Sequence, residues 1–396
     1  MVIDRRGLGM AVAGAVLARP ALLRAQGAAG AVLPIGFVTT LSGPAGYLGE
    51  EVRAGFELGI AEGGDALGGT RVRLLVEDDA ARPGQGQQAA ERLMGAERAR
   101  LFSGLVFSNV AGTVVPAVLD AGGIFVSANA GPADFAGREC HRNYFVVSWL
   151  TDSMQASAGA LASDLGYRRV MVLAPNFITG REAIAGFRRL FKGEVVREIY
   201  TRPDQVDFSA EMAIIRSERP DAVYQFHPGG TGIAFLRQYQ GAGLLGTVPM
   251  VVSEPSLDHR IVAALGDAAL GIDVSGHWNA DFPNDANRRF VAAYTAKHGR
   301  VPTMYAAQGF DTANAIGAAL RATGGSIADQ AAFRAAMLKA DFASVRGEFR
   351  FGPNGHPVQA WWGLKVAPGA DGKPTLVTQR RILDPVGDAF ADRCKL

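Results

Sequence analysis

Small polar residues stand where apolar runs end. Ser108 and Asn109 follow LFSGLVF, Asn129 lies between Ala128 and Ala130 at the end of GIFVSANA, and Glu254 follows VPMVVS. At the carboxyl end of a strand and ahead of a helix, such residues offer hydroxyl, amide and backbone N–H donors to an anion. For Ser108 and Asn109 the plainer alternative is an ordinary helix N-cap. Aromatic and imidazole side chains hold comparable places: Tyr47 in SGPAGYLG, Phe177 in PNFITG, and Tyr224, Phe226 and His227 in DAVYQFHP. A ring supplies large apolar contact area, so these residues read either as walls of a ligand cleft or as packing. Strand alternation puts Tyr224 and Phe226 on one face, which fits sheet core equally well. His227 can donate to a carboxylate or cap a turn. Glu254 can pair an ammonium or an arginine, or face water. This is binding chemistry.

Catalytic chemistry finds no foothold. The six histidines form no H-x-x-x-H pair and no carboxylate-flanked cluster, so neither a metal nor another cofactor is expected. No G-x-S-x-G elbow and no phosphate-binding glycine loop follows an apolar run. The GRE at 180–182 and GGTG at 229–232 are too short to mean more than turns. The reading is that the chain is not an enzyme.

The elements that position these residues alternate. Apolar strands are expected at 32–41, 70–77, 99–107 and 123–130, with helices at 50–62 and 85–95 and from about 111. After a connecting stretch at 143–149 the rhythm repeats. A helix reaches Leu165, strands lie at 169–174, 221–226 and 247–253, and helices at 180–192, 209–217 and 230–241. Helices follow at 284–298, 303–323 and 330–339, then antiparallel strands at 358–366 and 375–382. This βαβ grammar gives parallel sheets flanked by helices. A chain of 396 residues exceeds one ordinary core. Two lobes are expected, the first from 31–147 plus 275–346 and the second from 148–274 plus 347–392, with a ligand cleft between them at the strand ends.

The first 25 residues, MVIDRRGLGMAVAGAVLARPALLRA, read as an export signal cleaved near residue 25, and the Arg5–Arg6 pair resembles a twin-arginine signal. Removing them takes away Arg5, Arg6, Arg19, Arg24 and Asp4 and turns the formal net charge from +2 to −1. No basic surplus then remains for phosphates, which argues against nucleic acid as a partner. Past the signal, no long uncharged apolar run suits a membrane span. In an oxidising compartment Cys140 and Cys394 either pair or stay as two thiols.

The loops also carry a family resemblance. IGFVTTLSGPAGYLG and NDANRRFVAAYTAKHGRVPTMYAAQGFDTANAI resemble the leucine-binding type of periplasmic receptor of branched-chain amino acid ABC transporters, over essentially the whole chain after the signal. The resemblance implies a two-lobed type I periplasmic-binding-protein fold, a monomer located in the periplasm and a membrane permease as partner. It implies a carboxylate held at Ser108–Asn109 and at Ala128, Asn129 and Ala130. Aromatic walls fall at Phe177 and in the stretch from Tyr224 to His227, and an acidic partner for an ammonium at Glu254. The segment DAVYQFHPGGTGIAFLRQYQGAGL looks more like the aromatic-acid-binding branch. A carboxylate with an apolar or aromatic body is therefore expected. An aliphatic amino acid is the alternative ligand, and a sensor module reporting to a membrane partner the alternative role.

Overall fold

Alternation of side chains along each strand builds two cores per sheet. In the computed structural model, which describes residues 32–396, the first half runs β1 (Leu33–Thr39), α1 (Gly46–Glu62), β2 (Ala66–Leu67), β3 (Thr70–Asp78), α2 (Pro83–Gly95), β4 (Leu101–Gly104), α3 (Ser108–Asp120), β5 (Ile124–Ser127), α4 (Ala133–Ala136) and β6 (Tyr144–Val146). The expected signal peptide lies outside the described residues. The second half runs α5 (Thr151–Asp164), β7 (Arg169–Pro175), α6 (Ile178–Leu190), β8 (Glu194–Thr201), α7 (Ser209–Glu218), β9 (Ala222–Gln225), α8 (Gly230–Gly241), β10 (Met250–Ser253), α9 (His259–Leu265) and β11 (Asp273–Gly276). Then come α10 (Asp285–His298), α11 (Met304–Ala322), α12 (Gln330–Lys339), β12 (Arg350–Phe351), β13 (Pro357–Pro368) and β14 (Pro374–Val386).

The strands form two sheets and so two lobes. The first has the order β2-β3-β1-β4-β5-β6, parallel except for the β2–β3 pair. Ile35, Phe37, Leu101, Ile124 and Val126 point to the side of α1 and α11, while Val38, Phe102 and Phe125 meet α2 and α3. The second sheet, β12-β13-β11-β10-β9-β7-β8 with β14 beside β13, mixes a parallel centre with antiparallel β12, β13 and β14. Val170, Val172 and Ala174 face α5 and α6, and Met171 and Leu173 face α7 to α9. Burial on both faces explains why these strands read as continuous apolar runs. In the first lobe α1 and α11 approach backbone to backbone. A Cβ on Gly55 would lie 1.9 Å from the Ala306 carbonyl oxygen, and one on Gly309 1.9 Å from that of Val52.

Some expectations shift. The strand expected at 99–107 stops at Gly104, because Gly104 and Leu105 take φ of 101° and 62° and turn the chain away. Tyr144–Val146 of the expected connecting stretch pairs with β5 as a strand. β8 was not anticipated: it is an edge strand with exposed Glu194, Arg197 and Glu198, so its apolar signal is weak. Seven-residue α9 was likewise missed.

Cys140 and Cys394 form a disulfide, with Cα atoms 5.6 Å apart and 254 residues of separation. The bridge carries the tail beyond β14 back to the segment after α4. For so long a loop the chain-entropy ceiling is about 5 kcal/mol, and about 2–4 kcal/mol is the usual yield. The Cys140→Ser, Cys394→Ser double variant is accordingly expected to unfold at lower denaturant by that amount. An unchanged unfolding midpoint would refute the role assigned to the bridge.

Candidate ligand site

The helices that begin around the carboxyl ends of the strands mostly lack side-chain caps. α1, α3, α4, α5, α6 and α8 start after Ala45, Phe107, Pro132, Leu150, Phe177 and Gly229, and none of these side chains accepts from the first turn. By contrast α10, α11 and α12 are capped by Asn284, Thr303 and Asp329. Apolar or glycine caps therefore leave the first turns of these helices without a capping side chain of their own, and among the described residues only at α4 does a carboxylate from another helix, Glu182, reach the first N–H. α9 is the exception, capped by Asp258.

Among the residues singled out from sequence, Ser108 is the first residue of α3 and buried, and Asn109 beside it is exposed. The Ala128–Ala130 turn is buried and pinned from beneath: Ser148 Oγ donates to the Asn129 carbonyl at 2.6 Å and Ser127 Oγ to that of Ala130 at 2.6 Å. Phe177 sits half-buried at the head of α6, which touches α3 across the opening. Tyr47 packs against the cores of both lobes, and its hydroxyl donates to Asp258 Oδ2 at 3.1 Å.

Tyr224 and His227 are engaged inside the second lobe. The Tyr224 ring is fully buried, stacked on Phe187 at 4.3 Å, and its hydroxyl donates to Gln155 Oε1. His227 lies 3.0 Å from Thr201 Oγ1 and 2.9 Å from Gln225 Oε1, stacked on Phe235. Burial pushes its pKa down to about 3, so the ring carries no charge for an anion at neutral pH.

Glu254 is 2% exposed and already has partners. Its Oε2 accepts the His277 backbone N–H at 3.0 Å and His277 Nδ1–H at 2.6 Å. His277 Nε2 lies 3.3 Å from Gln308 Nε2, and Gln308 Oε1 accepts from Asn129 Nδ2 at 2.7 Å. A buried chain thus runs from the Asn129 turn of the first lobe to Glu254 of the second, with Trp149 edge-on to His277 at 4.9 Å. The lobes also meet where Arg260 Nη1 reaches Glu51 at 3.3 Å and where Pro44 lies near Gly230. Among the described residues there is no group of metal-ligating side chains and no helix long and apolar enough to cross a membrane.

This two-lobed frame has known counterparts. Residues 32–373 match the periplasmic binding protein family. The chain belongs to that family. Leu/Ile/Val-binding protein homolog 6 of Brucella melitensis is 26% identical over 361 residues, spanning 88% of this chain and 91% of the relative. An ABC transporter solute-binding protein from R. palustris, solved in complex with benzoate, superposes with a TM-score of 0.86 at 29% identity, covering 92% of this chain and all of that one. Another from Rhodopseudomonas palustris BisB5, in complex with 3,4-dihydroxybenzoic acid, gives 0.82 at 25% identity, with 90% and 99% covered.

Several residues that organise the cleft of this periplasmic binding protein escaped sequence reasoning. His277 and Gln308 form the buried chain to Glu254, and Asp258 and Arg260 form the seam with α1. Only His277 had a usable signal, as the first residue past the short segment DVSG, where the chain leaves the second sheet.

Proposed function

We propose that this periplasmic binding protein is the receptor of an ABC importer and captures a monocarboxylate with an apolar or aromatic body. The observation that carries the ligand class is the state of Glu254. In the amino-acid reading its carboxylate pairs the ligand's ammonium, but here His277 donates to it twice and the group is closed off from water. Both bonds fall on Oε2, and at 2% exposure the carboxylate offers an ammonium no open approach. An acid without an ammonium leaves them intact. The uncapped start of α3 at Ser108 and Asn109, beside Asn129, supplies donors for a single carboxylate, whereas the Ala128 and Ala130 N–H groups are taken by the Gly104 and Leu105 carbonyls; Phe177 supplies a wall for the body. The likeness to the benzoate-bound protein supports the same class. The receptor works in the periplasm as a monomer and hands its ligand to a permease.

The name of the Brucella relative favours a second reading, leucine, isoleucine or valine. A thermal-shift panel separates the two. A ligand at about 100 times its Kd adds about 2.7 kcal/mol to stability, so benzoate and hydroxybenzoates should raise the Tm by several degrees while leucine, isoleucine and valine leave it unchanged. If only the amino acids raise it, and Glu254→Gln abolishes their effect, the carboxylate reading falls.

A further inference from the structure

Two carboxyl groups of the second lobe are pressed against the first without a cation of their own. Asp258 is 2% exposed; its Oδ1 accepts the Arg260 and Ile261 N–H groups at 2.8 and 2.9 Å and its Oδ2 the Tyr47 hydroxyl. The groups facing it are Tyr47, Glu50 and Glu51 of α1, Tyr305 of α11, and its neighbours His259 and Arg260. Arg260 turns away, stacking over the Tyr47 ring at 4.7 Å and pairing with Glu51 at 3.3 Å and Glu50 at 3.9 Å. Glu51 also holds Arg300, Tyr294 and Thr303. His259, whose pKa burial lowers, bonds to Asn279. Three carboxyl groups therefore share two guanidinium groups in this seam. At a second place Glu182 of α6 reaches the Ala133 N–H at the start of α4, opposite Asp134 and beside Asp152, and Arg189 is paired with Asp152. Glu182 Oε2 has no partner.

We propose that closing the cleft takes up protons at Asp258 and Glu182, so that the ligand-holding form is favoured in mildly acidic medium and loosens as the pH rises. The proposal rests on the cleft-closing binding protein argued above. Burial within the closed seam pushes Asp258 up to about 6, with Glu51 adding to the rise, and Glu182 up to about 7, with Asp134 and Asp152 adding to it. Opening returns both to water and to ordinary carboxyl values. A group whose pKa is raised in the closed form favours closure fully below the ordinary carboxyl range. That advantage is lost as the pH climbs through the closed-form values, here about 6 and about 7. Glu182 is only half-buried, so solvent screening reduces its share.

Benzoate is the probe, since its carboxylate stays ionised throughout the window. Titration calorimetry at pH 6.5 in two buffers of different ionisation enthalpy should show net proton uptake on binding. The Kd should tighten about fivefold or more between pH 8.5 and 5.5 at fixed ionic strength. In the Asp258→Asn, Glu182→Gln double variant, whose new Asn still caps α9, both the uptake and the slope should vanish. No proton exchange in the native protein, or an undiminished slope in the variant, overturns the proposal. Failure of benzoate to bind at any pH sinks the ligand class instead. The radius of gyration of the ligand-free protein then decides: contraction on going from pH 8.5 to 5.5 in the native chain alone supports proton-linked closure, and its absence refutes it.

Discussion

Arg346→Met is expected to lower the stability of the folded protein by about 3–5 kcal/mol, the usual consequence of leaving one half of a buried ion pair alone. Arg346 is 7% exposed, and its Nε donates to Asp311 Oδ2 at 3.0 Å. Its Nη1 reaches the carbonyls of Val147 and Ser148 at 2.6 and 3.2 Å and Gln359 Oε1 at 2.7 Å. These acceptors lie on the link from β6 to α5 and on β13, while Asp311 belongs to α11. One guanidinium therefore ties the link from β6 to α5 and strand β13 of the second lobe to the long helix of the first. Burial lowers its pKa and Asp311 opposes that shift, so the pair is held by the opposite charge together with the carbonyls around Arg346 and the Ser344 hydroxyl and Val345 N–H that Asp311 accepts. Denaturant unfolding should show the loss for Arg346→Met and for Asp311→Leu, with much of it recovered when the two are combined, since an apolar pair leaves no buried charge. A single-variant loss below about 1 kcal/mol would mean that water reaches Asp311 and that Arg346 is no pivot.

Arg346 also marks the limit of what sequence discloses. The sheets and long helices were legible because they are written in local patterns. Asn284 and Thr303 cap α10 and α11 where the expected helices begin, and Gln330–Lys339 coincides with the third. Apolar runs before Ser108 and Asn129 revealed the strands, because strands buried on both faces read as continuous apolar runs, but they overran the strand ends at Gly104 and Ser127. The partners of individual polar residues were not legible, because they come from distant segments. Glu254 meets His277, 23 residues on, and Asn129 meets Gln308, 179 residues on. Glu254 at a strand end looks the same in sequence whether it awaits an ammonium or is held by an imidazole. Tyr224 illustrates the other ambiguity: alternation gave its face, and only the ring of Phe187 shows that the face is packed. β8 was illegible for a third reason, since an edge strand with exposed charges lacks the apolar run that marks its neighbours.

The second large effect concerns the start of α3. Ser108→Asp should weaken benzoate binding at least about 100-fold, because like charges brought together at a desolvated interface cost several kcal/mol. In the open, ligand-free form, where the start of α3 meets water, the same substitution should leave the fold intact or slightly firmer. An acidic residue in the first turn favours a helix by about 0.3–1 kcal/mol, and α3 has no acidic residue there and no side-chain cap after Phe107. Stability and affinity are thus expected to move in opposite directions, which a merely structural role for Ser108 does not produce. Ser108→Ala removes one hydroxyl donor and should cost about threefold to tenfold in Kd, the range of a single net hydrogen bond. Asn109→Asp, at the exposed neighbouring position, should fall between the two because water screens its charge. Calorimetric titration at neutral pH, with thermal unfolding of each variant alongside, reads both quantities. If Ser108→Asp binds benzoate as tightly as the native protein, the carboxylate is not seated on α3.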